Sequence, residues 1–108
     1  MEKFYIARNE DVKKEFDANG FSCTELLPGT YEGGIRNYKC FLKPGCEVSP
    51  TLYADKTVLF FFGQGVGYIR DAEAAYNITE LSFYAPKFDQ CPYTIHAVDE
   101  MEFVMSIV

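Results

Sequence analysis

The segment spanning residues 45–65, near the middle of the chain, constrains the possible fold more than any other part of the sequence. After an initial threonine, its residues 57–62 are all apolar and rich in phenylalanine, which favours a β-strand covered on both faces. The glycines that follow, Gly63 and Gly65, predict a tight connection because glycine adopts backbone angles that other residues avoid. The segment therefore predicts a sheet protein.

Strand patterns continue along most of the chain. Short runs of aromatic and β-branched residues are separated by turns that contain glycine or proline, and the sequence has no internal repeat. This spacing predicts an all-β sandwich or barrel. Residues 71–77 are expected to form a polar turn or one helical turn. The predicted strands are residues 34–43, 57–62, 66–70, 81–85, 93–98 and 102–108.

Ahead of these strands the sequence predicts a short N-terminal helix. Asn9 is suited to cap it, acidic residues follow the cap, and Val12 and Phe16 are spaced to share one helical face. We expect a single domain of 108 residues. In this domain, residues 1–29 form the helix and an arm, and residues 30–108 form the barrel.

The composition argues against several classes of protein. Hydrophobic residues make up 48% of the chain, which argues against disorder. The chain has 8 tyrosines and no tryptophan, a content that favours a barrel core with polar tips at its mouth. A net charge of −6, with no run of basic residues, predicts that the protein binds neither nucleic acid nor an anionic membrane surface.

The apolar segments also bear on location. The longest apolar stretch, residues 58–62, has the length of a buried strand and is too short to span a membrane. The N-terminus has neither the apolar run nor the small-residue cleavage site of a secretory signal. We therefore expect a cytoplasmic location.

The four cysteines show no metal-binding or redox spacing. Cys23, Cys40, Cys46 and Cys91 form no CxxC or CxxH motif, so the simplest interpretation is reduced thiols, some of them packed as small apolar groups. Two alternatives are a bridge between Cys40 and Cys46, or thiol chemistry at Cys46 or Cys91.

The glycine spacing in the central segment resembles the first motif of the cupin superfamily, whose members are small double-sheet jelly rolls. That motif runs Gly, five residues, His-x-His, three or four residues, Glu, six residues, Gly. Gly45 matches its first glycine, Gly63 matches its last, and residues 61–65 match its ending. The resemblance covers residues 30–108 and implies an all-β, cupin-like jelly-roll barrel, or double-stranded β-helix.

The metal ligands of that motif are missing here. Counting from the glycines puts Thr51 and Tyr53 at the positions of the two histidines, and Lys56 at the position of the glutamate, or Thr57 if the register slips by one. Residues two apart on a strand share a face, so we expect Thr51 and Tyr53 to point into the barrel. None of these side chains is a good divalent ligand near neutral pH, and the sequence therefore predicts no metal cofactor.

His96 is the one residue that keeps a family ligand position by resemblance. The second cupin motif has a proline followed by a histidine, and His96 follows Pro86 and Pro92 at spacings that match only loosely. One interpretation is a half-buried, hydrogen-bonded histidine inside the barrel. The other is a general acid or base, because the unperturbed pKa of histidine is near neutrality.

A rebuilt site for a divalent transition metal is an alternative to a metal-free barrel. It would combine His96 with Glu47 and Cys46, joined by Asp55 and Cys91, although no spacing forces these side chains together.

Arg36 has two interpretations. It shares a strand face with Tyr38, and if that face lines the barrel, Arg36 is placed to clamp a carboxylate or phosphate. If the face meets water, Arg36 serves solubility, the interpretation that we favour slightly.

The resemblance implies two kinds of partner: a second copy of the chain and a small molecule. Cupins commonly pair through their sheets, so we expect a homodimer in which the phenylalanine-rich strand contributes to packing. The predicted function is a metal-free cupin-like domain that binds a small polar ligand, such as a sugar or carboxylate, or that forms the non-catalytic barrel of a larger cupin. The ligand would lie in a barrel mouth lined by Thr51, Tyr53, Lys56 and His96, with Arg36 as a further candidate.

The alternative function is a cupin-type enzyme, such as a sugar isomerase, an epimerase or a lyase. In that case His96 would move a proton, Tyr53 would assist as an acid, and Lys56 would stabilise a developing enolate. Fold alone does not decide between the two, because one barrel architecture hosts many functions.

Overall fold

The computed structural model describes residues 3–30, 34–50, 57–86 and 93–107. They form nine strands in two facing antiparallel sheets, preceded by a single 3-10 turn at Asn9–Asp11. One sheet has five strands in the order β1-β2-β9-β4-β7, and the other has four in the order β3-β8-β5-β6. The strands are β1 (Phe21–Glu25), β2 (Arg36–Leu42), β3 (Glu47–Val48), β4 (Val58–Gln64), β5 (Gly67–Arg70), β6 (Ala75–Ile78), β7 (Ser82–Tyr84), β8 (Thr94–Ala97) and β9 (Met101–Ile107).

The core lies between the two sheets, and the alternation of buried and less buried residues that builds it is clearest in β9. In β9 every second residue from Met101 to Ile107 is buried, which is the period expected when one face of a strand meets the core. Phe103 of this strand packs against Phe60 and Phe62 of β4, with ring centroids 6.0 and 5.1 Å apart. The core is therefore rich in aromatic rings.

The all-β architecture is confirmed, but the predicted N-terminal helix is wrong. Only Asn9–Asp11 form a 3-10 turn, and the residue that caps it, Arg8, makes no side-chain capping hydrogen bond. The following chain instead bonds to β1: the Asp17 N–H donates to the Phe21 carbonyl at 2.9 Å, and the Glu15 N–H donates to Ser22 Oγ at 3.1 Å. These bonds to the sheet replace the bonds that a helix would make within itself.

This N-terminal segment covers the outer face of β1 and β2. Phe41 points away from the core side of β2, yet it is only 2% exposed. Lys14 lies over its ring, with Nζ 4.8 Å from the ring centroid, and the same ammonium group is 3.3 Å from a Glu100 carboxylate oxygen. The segment thus packs on the barrel as an additional layer.

Six of the nine strands match predicted ones, and three were missed. Strands β2, β4, β5, β7, β8 and β9 lie within or beside the predicted ranges. The prediction of a polar turn through residues 71–77 is wrong in its second half, because β6 pairs there with β5 from Gly67 to Arg70. Strands β1 and β3 also lie where no strand was predicted.

The apolar run in β4 is covered on one face only, contrary to the prediction. Phe60 and Phe62 are 1% exposed, whereas Leu59 on the opposite face is 41% exposed. Phe61 is half-buried because its ring packs on Phe83 of β7, with centroids 4.7 Å apart. An apolar outer patch of Leu59, Phe61, Phe83 and Val104 therefore lies on the five-stranded sheet.

Two glycines allow the chain to pass close to its neighbours where β4 turns into β5. Gly65 has a φ of +112°, and a Cβ placed there would overlap the carbonyl oxygen of Glu100. A Cβ on Gly67 would overlap the His96 carbonyl oxygen and lie 2.5 Å from Met101 Sδ. Glycine at positions 65 and 67 thus has a steric cause, in addition to the turn geometry predicted from sequence for Gly65.

Within the described residues, no helix is long and apolar enough to cross a lipid bilayer.

Candidate functional site

A cavity of about 620 Å³ lies between the two sheets, at one end of the core. Both sheets contribute to it, since Phe60 and Tyr84 belong to the five-stranded sheet and Ile69 and Tyr76 to the four-stranded sheet. The volume is in the range of small-molecule sites. Its lining consists of Phe60, Ile69, Asp71, Ala72, Glu73, Tyr76, Tyr84, Ala85, Pro86 and Tyr93.

Tyr84 is held in the cavity wall by hydrogen bonds at its hydroxyl. The hydroxyl donates to the Asn77 carbonyl at 3.1 Å and accepts from the Thr79 N–H at 3.3 Å. Hydrogen bonding from the Thr79 side chain, from Ser82 and from the Thr79 backbone lowers the pKa of Tyr84. Its ring stands edge-on to Phe62, with centroids 5.4 Å apart, so both ends of the side chain are fixed.

Tyr93 presents a protonated phenol to the same cavity. Its ring is half-buried and meets Phe60 edge-on, with centroids 6.1 Å apart. Its backbone carbonyl accepts a hydrogen bond from Ser49 Oγ at 3.0 Å, which fixes the chain just before β8. Burial raises the pKa of Tyr93 to about 12, so the group remains a hydrogen-bond donor at neutral pH.

The rim of the cavity is acidic. Asp71 and Glu73 lie in the turn between β5 and β6, and the described lining contains no lysine, arginine or histidine. Asp71 Oδ1 accepts hydrogen bonds from the Glu73 and Ala74 N–H groups, both at 2.8 Å. These two bonds lower the pKa of Asp71, which keeps the carboxylate ionised at neutral pH.

The structure places His96 outside this cavity. Its neighbours in β8, Ile95 and Ala97, are 0% and 4% exposed and point into the core, so His96 lies on the outward face of the four-stranded sheet. There its Nε2 is 2.8 Å from Glu47 Oε2, and its ring stacks on Tyr68 with centroids 4.7 Å apart. The expectation that His96 lies inside the barrel is therefore wrong, because apolar residues take the inward positions of β8.

The described members of the alternative metal site, His96, Glu47 and Cys46, do not converge on one point. His96 and Glu47 meet, but Cys46 precedes Glu47 in the chain and packs towards the core, near Gly20. In the described ranges, no group of three or more histidine, cysteine, aspartate or glutamate side chains is placed to hold a metal ion. The donor set of these residues therefore does not fit the metal that the fold family implies.

Several predicted site residues lie outside the described part of the chain. These are Thr51, Tyr53 and Lys56, together with Asp55 and Cys91 of the alternative metal site. Their predicted roles stay predictions.

Arg36 lies away from the cavity lining. Its side chain is 61% exposed, and its Nη1 is 3.5 Å from Glu25 Oε1 on the neighbouring strand β1. This position favours the solubility interpretation over a carboxylate clamp in the cavity.

Cys23, Cys40 and Cys46 are free thiols, as the simplest interpretation of the sequence expected, and the alternative of a bridge between Cys40 and Cys46 is wrong. The Cys40 thiol lies 3.7 Å from Cys23 Sγ, on the directly opposed residue of β1, whereas Cys46 packs beside Gly20. This pair was not predicted from the sequence, because β1 was not predicted as a strand.

The cavity residues were also not singled out from sequence. The only signal was the tyrosine content, which predicted polar tips at a barrel mouth. Tyr76, Tyr84 and Tyr93 come from three different strands or strand ends, and only the sheet order brings them together.

Structural comparison identifies the fold. The chain is similar to ectoine synthase from P. lautus, with a TM-score of 0.75, 20% sequence identity, and coverage of 96% of this chain and 77% of that one. It is also similar to a Cupin 2 conserved barrel domain protein from Salinispora arenicola, with a TM-score of 0.78, 10% identity, and coverage of 98% and 89%.

A third similar structure is a variant of salicylate 1,2-dioxygenase from Pseudoaminobacter salicylatoxidans, with a TM-score of 0.66 and 13% identity. The match covers 83% of this chain but only 26% of the dioxygenase chain. No protein-family model matches the sequence, and no curated protein matches it significantly. The chain has the cupin fold, as the glycine frame predicted, and at these identities the similarity shows the fold and not the function.

Proposed function

We propose that this cupin-fold domain binds a small, neutral, hydroxylated molecule, such as a sugar, in the tyrosine-lined cavity, without a metal ion. The observation that carries the proposal is the cavity itself, whose walls are aromatic and whose polar groups are phenols and carboxylates. A concave, mostly apolar pocket with a few converging polar groups is the usual form of a small-molecule site.

The aromatic walls favour a ring with an apolar face. Phe60, Tyr76, Tyr84 and Tyr93 surround the cavity, and a sugar has C–H faces that pack against such rings while its hydroxyls remain available for hydrogen bonds. The edge-on packing of Tyr93 on Phe60 and of Tyr84 on Phe62 holds these walls in place before any ligand binds. A preformed wall reduces the entropy lost on binding.

The polar groups complement hydroxyls. The protonated phenol of Tyr93 makes no hydrogen bond with another described residue, so it is available to donate to a ligand oxygen. The carboxylates of Asp71 and Glu73 at the rim accept hydrogen bonds, and they do so most strongly from hydroxyl or ammonium donors.

The charge of the rim argues against the carboxylate ligands that the sequence also suggested. An anion entering the cavity would approach Asp71 and Glu73 without a basic side chain in the described lining to balance them. Like charges in a partly desolvated site repel at a cost of the order of a kcal/mol or more. We therefore favour neutral sugars, with amino sugars as the next class.

The test is ligand binding by calorimetry and thermal shift, using matched neutral sugars, amino sugars and sugar acids. We expect neutral sugars to bind and the corresponding acids to bind at least about tenfold more weakly, with no change when a chelator is added. Tyr93→Phe removes one hydroxyl and should weaken binding, whereas Tyr68→Phe makes the same change on the outward face and should not. Preferred binding of the acids, or equal loss in both variants, would contradict the proposal.

The enzyme alternative rests on a different surface. His96 and Glu47 form a close pair on the outward face, and such a pair is a possible proton-transfer unit only for a substrate bound outside the barrel. An activity that is lost in His96→Gln while sugar binding in the cavity persists would favour this alternative.

A role as one barrel of a larger cupin is the other alternative. It is supported by the match to about a quarter of the dioxygenase chain, which shows that a unit of this size also occurs within longer proteins. A metal-containing, active second barrel in the same polypeptide would favour it.

A further inference from the structure

Cys23 and Cys40 are directly opposed residues of the antiparallel strands β1 and β2. Their sulfur atoms lie 3.7 Å apart in the part of the sheet that faces the core. The two thiols differ in access: Cys40 is 0% exposed, whereas Cys23 is exposed to solvent. An accessible thiol in contact with a buried one is the arrangement of an attacking cysteine and its resolving partner.

We propose that Cys23 and Cys40 are a reversible thiol–disulfide site, oxidised by a hydroperoxide such as hydrogen peroxide and restored by a small thiol. The proposal is independent of the sugar-binding function, because neither cysteine lines the cavity.

The backbone geometry is compatible with the bond. Directly opposed residues of an antiparallel pair have Cα atoms roughly 4.5–5.5 Å apart. Cα atoms joined by disulfides lie roughly 4.4–6.8 Å apart, so the strands need not separate or slide. Only the sulfur atoms must approach, from 3.7 Å to a bond length of about 2.05 Å, and rotation about the Cα–Cβ bonds provides such a movement.

The two thiols are chemically unequal in the direction that the reaction needs. A hydrogen bond from the Cys40 thiol lowers the pKa of Cys23, because it stabilises the thiolate. The same hydrogen bond, together with burial, raises the pKa of Cys40 and keeps that thiol protonated. Cys23 is thus the nucleophile of the first step, and in the second step Cys40 attacks while its proton passes to the departing oxygen.

The chemistry balances in two steps. The Cys23 thiolate attacks one oxygen of hydrogen peroxide, so that an S–O bond forms, the O–O bond breaks and hydroxide leaves to become water. The Cys40 sulfur then attacks the Cys23 sulfur, forming the S–S bond and expelling the second oxygen, which leaves as water with the Cys40 proton. Two electrons pass from the two thiols to the peroxide.

The disulfide would link an edge strand of the barrel covalently to its neighbour. β1 is an outer strand of the five-stranded sheet, and its neighbour within that sheet is β2. The N-terminal segment in turn bonds to β1 through the N–H groups of Glu15 and Asp17. Oxidation would therefore reduce opening of this edge, and hydrogen exchange in β1 should slow when the bond forms.

The experiment uses the full chain with Cys46 and Cys91 both replaced by serine, leaving the proposed pair alone. The reduced protein is treated with hydrogen peroxide, remaining thiols are alkylated, and the peptides are mapped by mass spectrometry. We expect a peptide linked through Cys23 and Cys40 within one chain, lost on treatment with dithiothreitol. Before oxidation, alkylation should be roughly tenfold faster at Cys23 than at Cys40.

Two further variants separate the steps, and circular dichroism verifies that each is folded. In Cys40→Ser, peroxide should leave a sulfenic acid on Cys23 that a dimedone probe captures. In Cys23→Ser, the buried Cys40 should stay unmodified. The proposal is overturned if the linkage forms only in denaturant, if the chains link to each other instead, or if Cys40 reacts before Cys23.

Discussion

The imidazole of His96 and the carboxylate of Glu47 project from directly opposed residues of β8 and β3, with Nε2 and Oε2 2.8 Å apart. The pair lies on the outward face of the four-stranded sheet, where the Glu47 side chain is 60% exposed. The histidine that the cupin resemblance would place among metal ligands therefore makes a surface contact with a carboxylate and stacks on an aromatic ring.

His96→Gln should cost little stability and leave sugar binding unchanged. Even a fully charged pair at an exposed position contributes only up to about 1 kcal/mol to the free energy of unfolding, and the stacked Tyr68 ring keeps most of its contact with the amide. Urea unfolding and calorimetric titration measure the two quantities, with Glu47→Gln as the matched variant. Loss of binding in His96→Gln alone would show that the imidazole acts in the cavity after all.

Gly67→Ala should be strongly destabilising. The new methyl group would overlap the His96 carbonyl oxygen and crowd Met101 Sδ, and the backbone oxygen has no room to move away between paired strands. We expect a loss of about 3 kcal/mol in the free energy of unfolding. Gly34→Ala is the control, because a Cβ there would meet no atom within 4 Å. Equal stability of the two variants would show that the β4–β5 connection is placed differently.

Tyr93 should make the protein less stable at alkaline pH. Its pKa is raised by burial from 10.0 to about 12, so the folded state holds the proton more tightly than the unfolded chain. The resulting stability is fully present below about pH 10 and is lost as the pH rises through about 12.

Urea unfolding of the wild type and of Tyr93→Phe between pH 8 and pH 11.5 measures this effect, and the wild type should lose more stability over the interval. Tyr84→Phe is a control in which the change of stability with pH should have the opposite sign, because the pKa of Tyr84 is lowered on folding. A wild type and a Tyr93→Phe variant with parallel pH profiles would mean that Tyr93 is solvated.

The apolar outer patch should be the interface of a homodimer. Phe83 is 67% exposed in the isolated chain and packs against Phe61 with tilted rings, which gives the patch a large aromatic surface for a second copy to cover. Phe83→Ser should weaken self-association at least about tenfold in analytical ultracentrifugation. Val98→Ser removes another exposed apolar side chain, 56% exposed and outside the patch, and should have no effect. A monomeric wild type at micromolar concentration would contradict the prediction.

The sequence predicted the barrel because its strongest signals are local. The apolar run in β4 and the glycines after it define a buried strand and a tight connection without knowledge of the rest of the chain. Local sequence does not decide which side of each strand faces the core. In β8 one alternation contains Ile95 and Ala97 and the other contains Thr94 and His96, and only packing against the opposite sheet decides between them.

The candidate site could not be predicted for the same reason. Its tyrosines lie on three different strands or strand ends that only the sheet order brings together, and the turn that carries Asp71 gives no pattern beyond its polarity. Because β1 was not predicted as a strand, the pairing of Cys23 with Cys40 could not be predicted either. The prediction of an N-terminal helix failed because the segment is too short to form a stable helix on its own. The backbone hydrogen bonds from Glu15 and Asp17 to β1 stabilise the extended conformation instead.

The acidic turn at the cavity rim is built separately from the core. Asp71 shapes it through bonds to two backbone N–H groups, and Glu73 is exposed and contributes its side chain only to the rim. A change at position 73 would alter the charge offered to a ligand without disturbing the aromatic packing between the sheets. Under the proposed function, the charge that a ligand meets at the rim and the packing that stabilises the core therefore depend on different residues, so a substitution in this turn would change the first without the second.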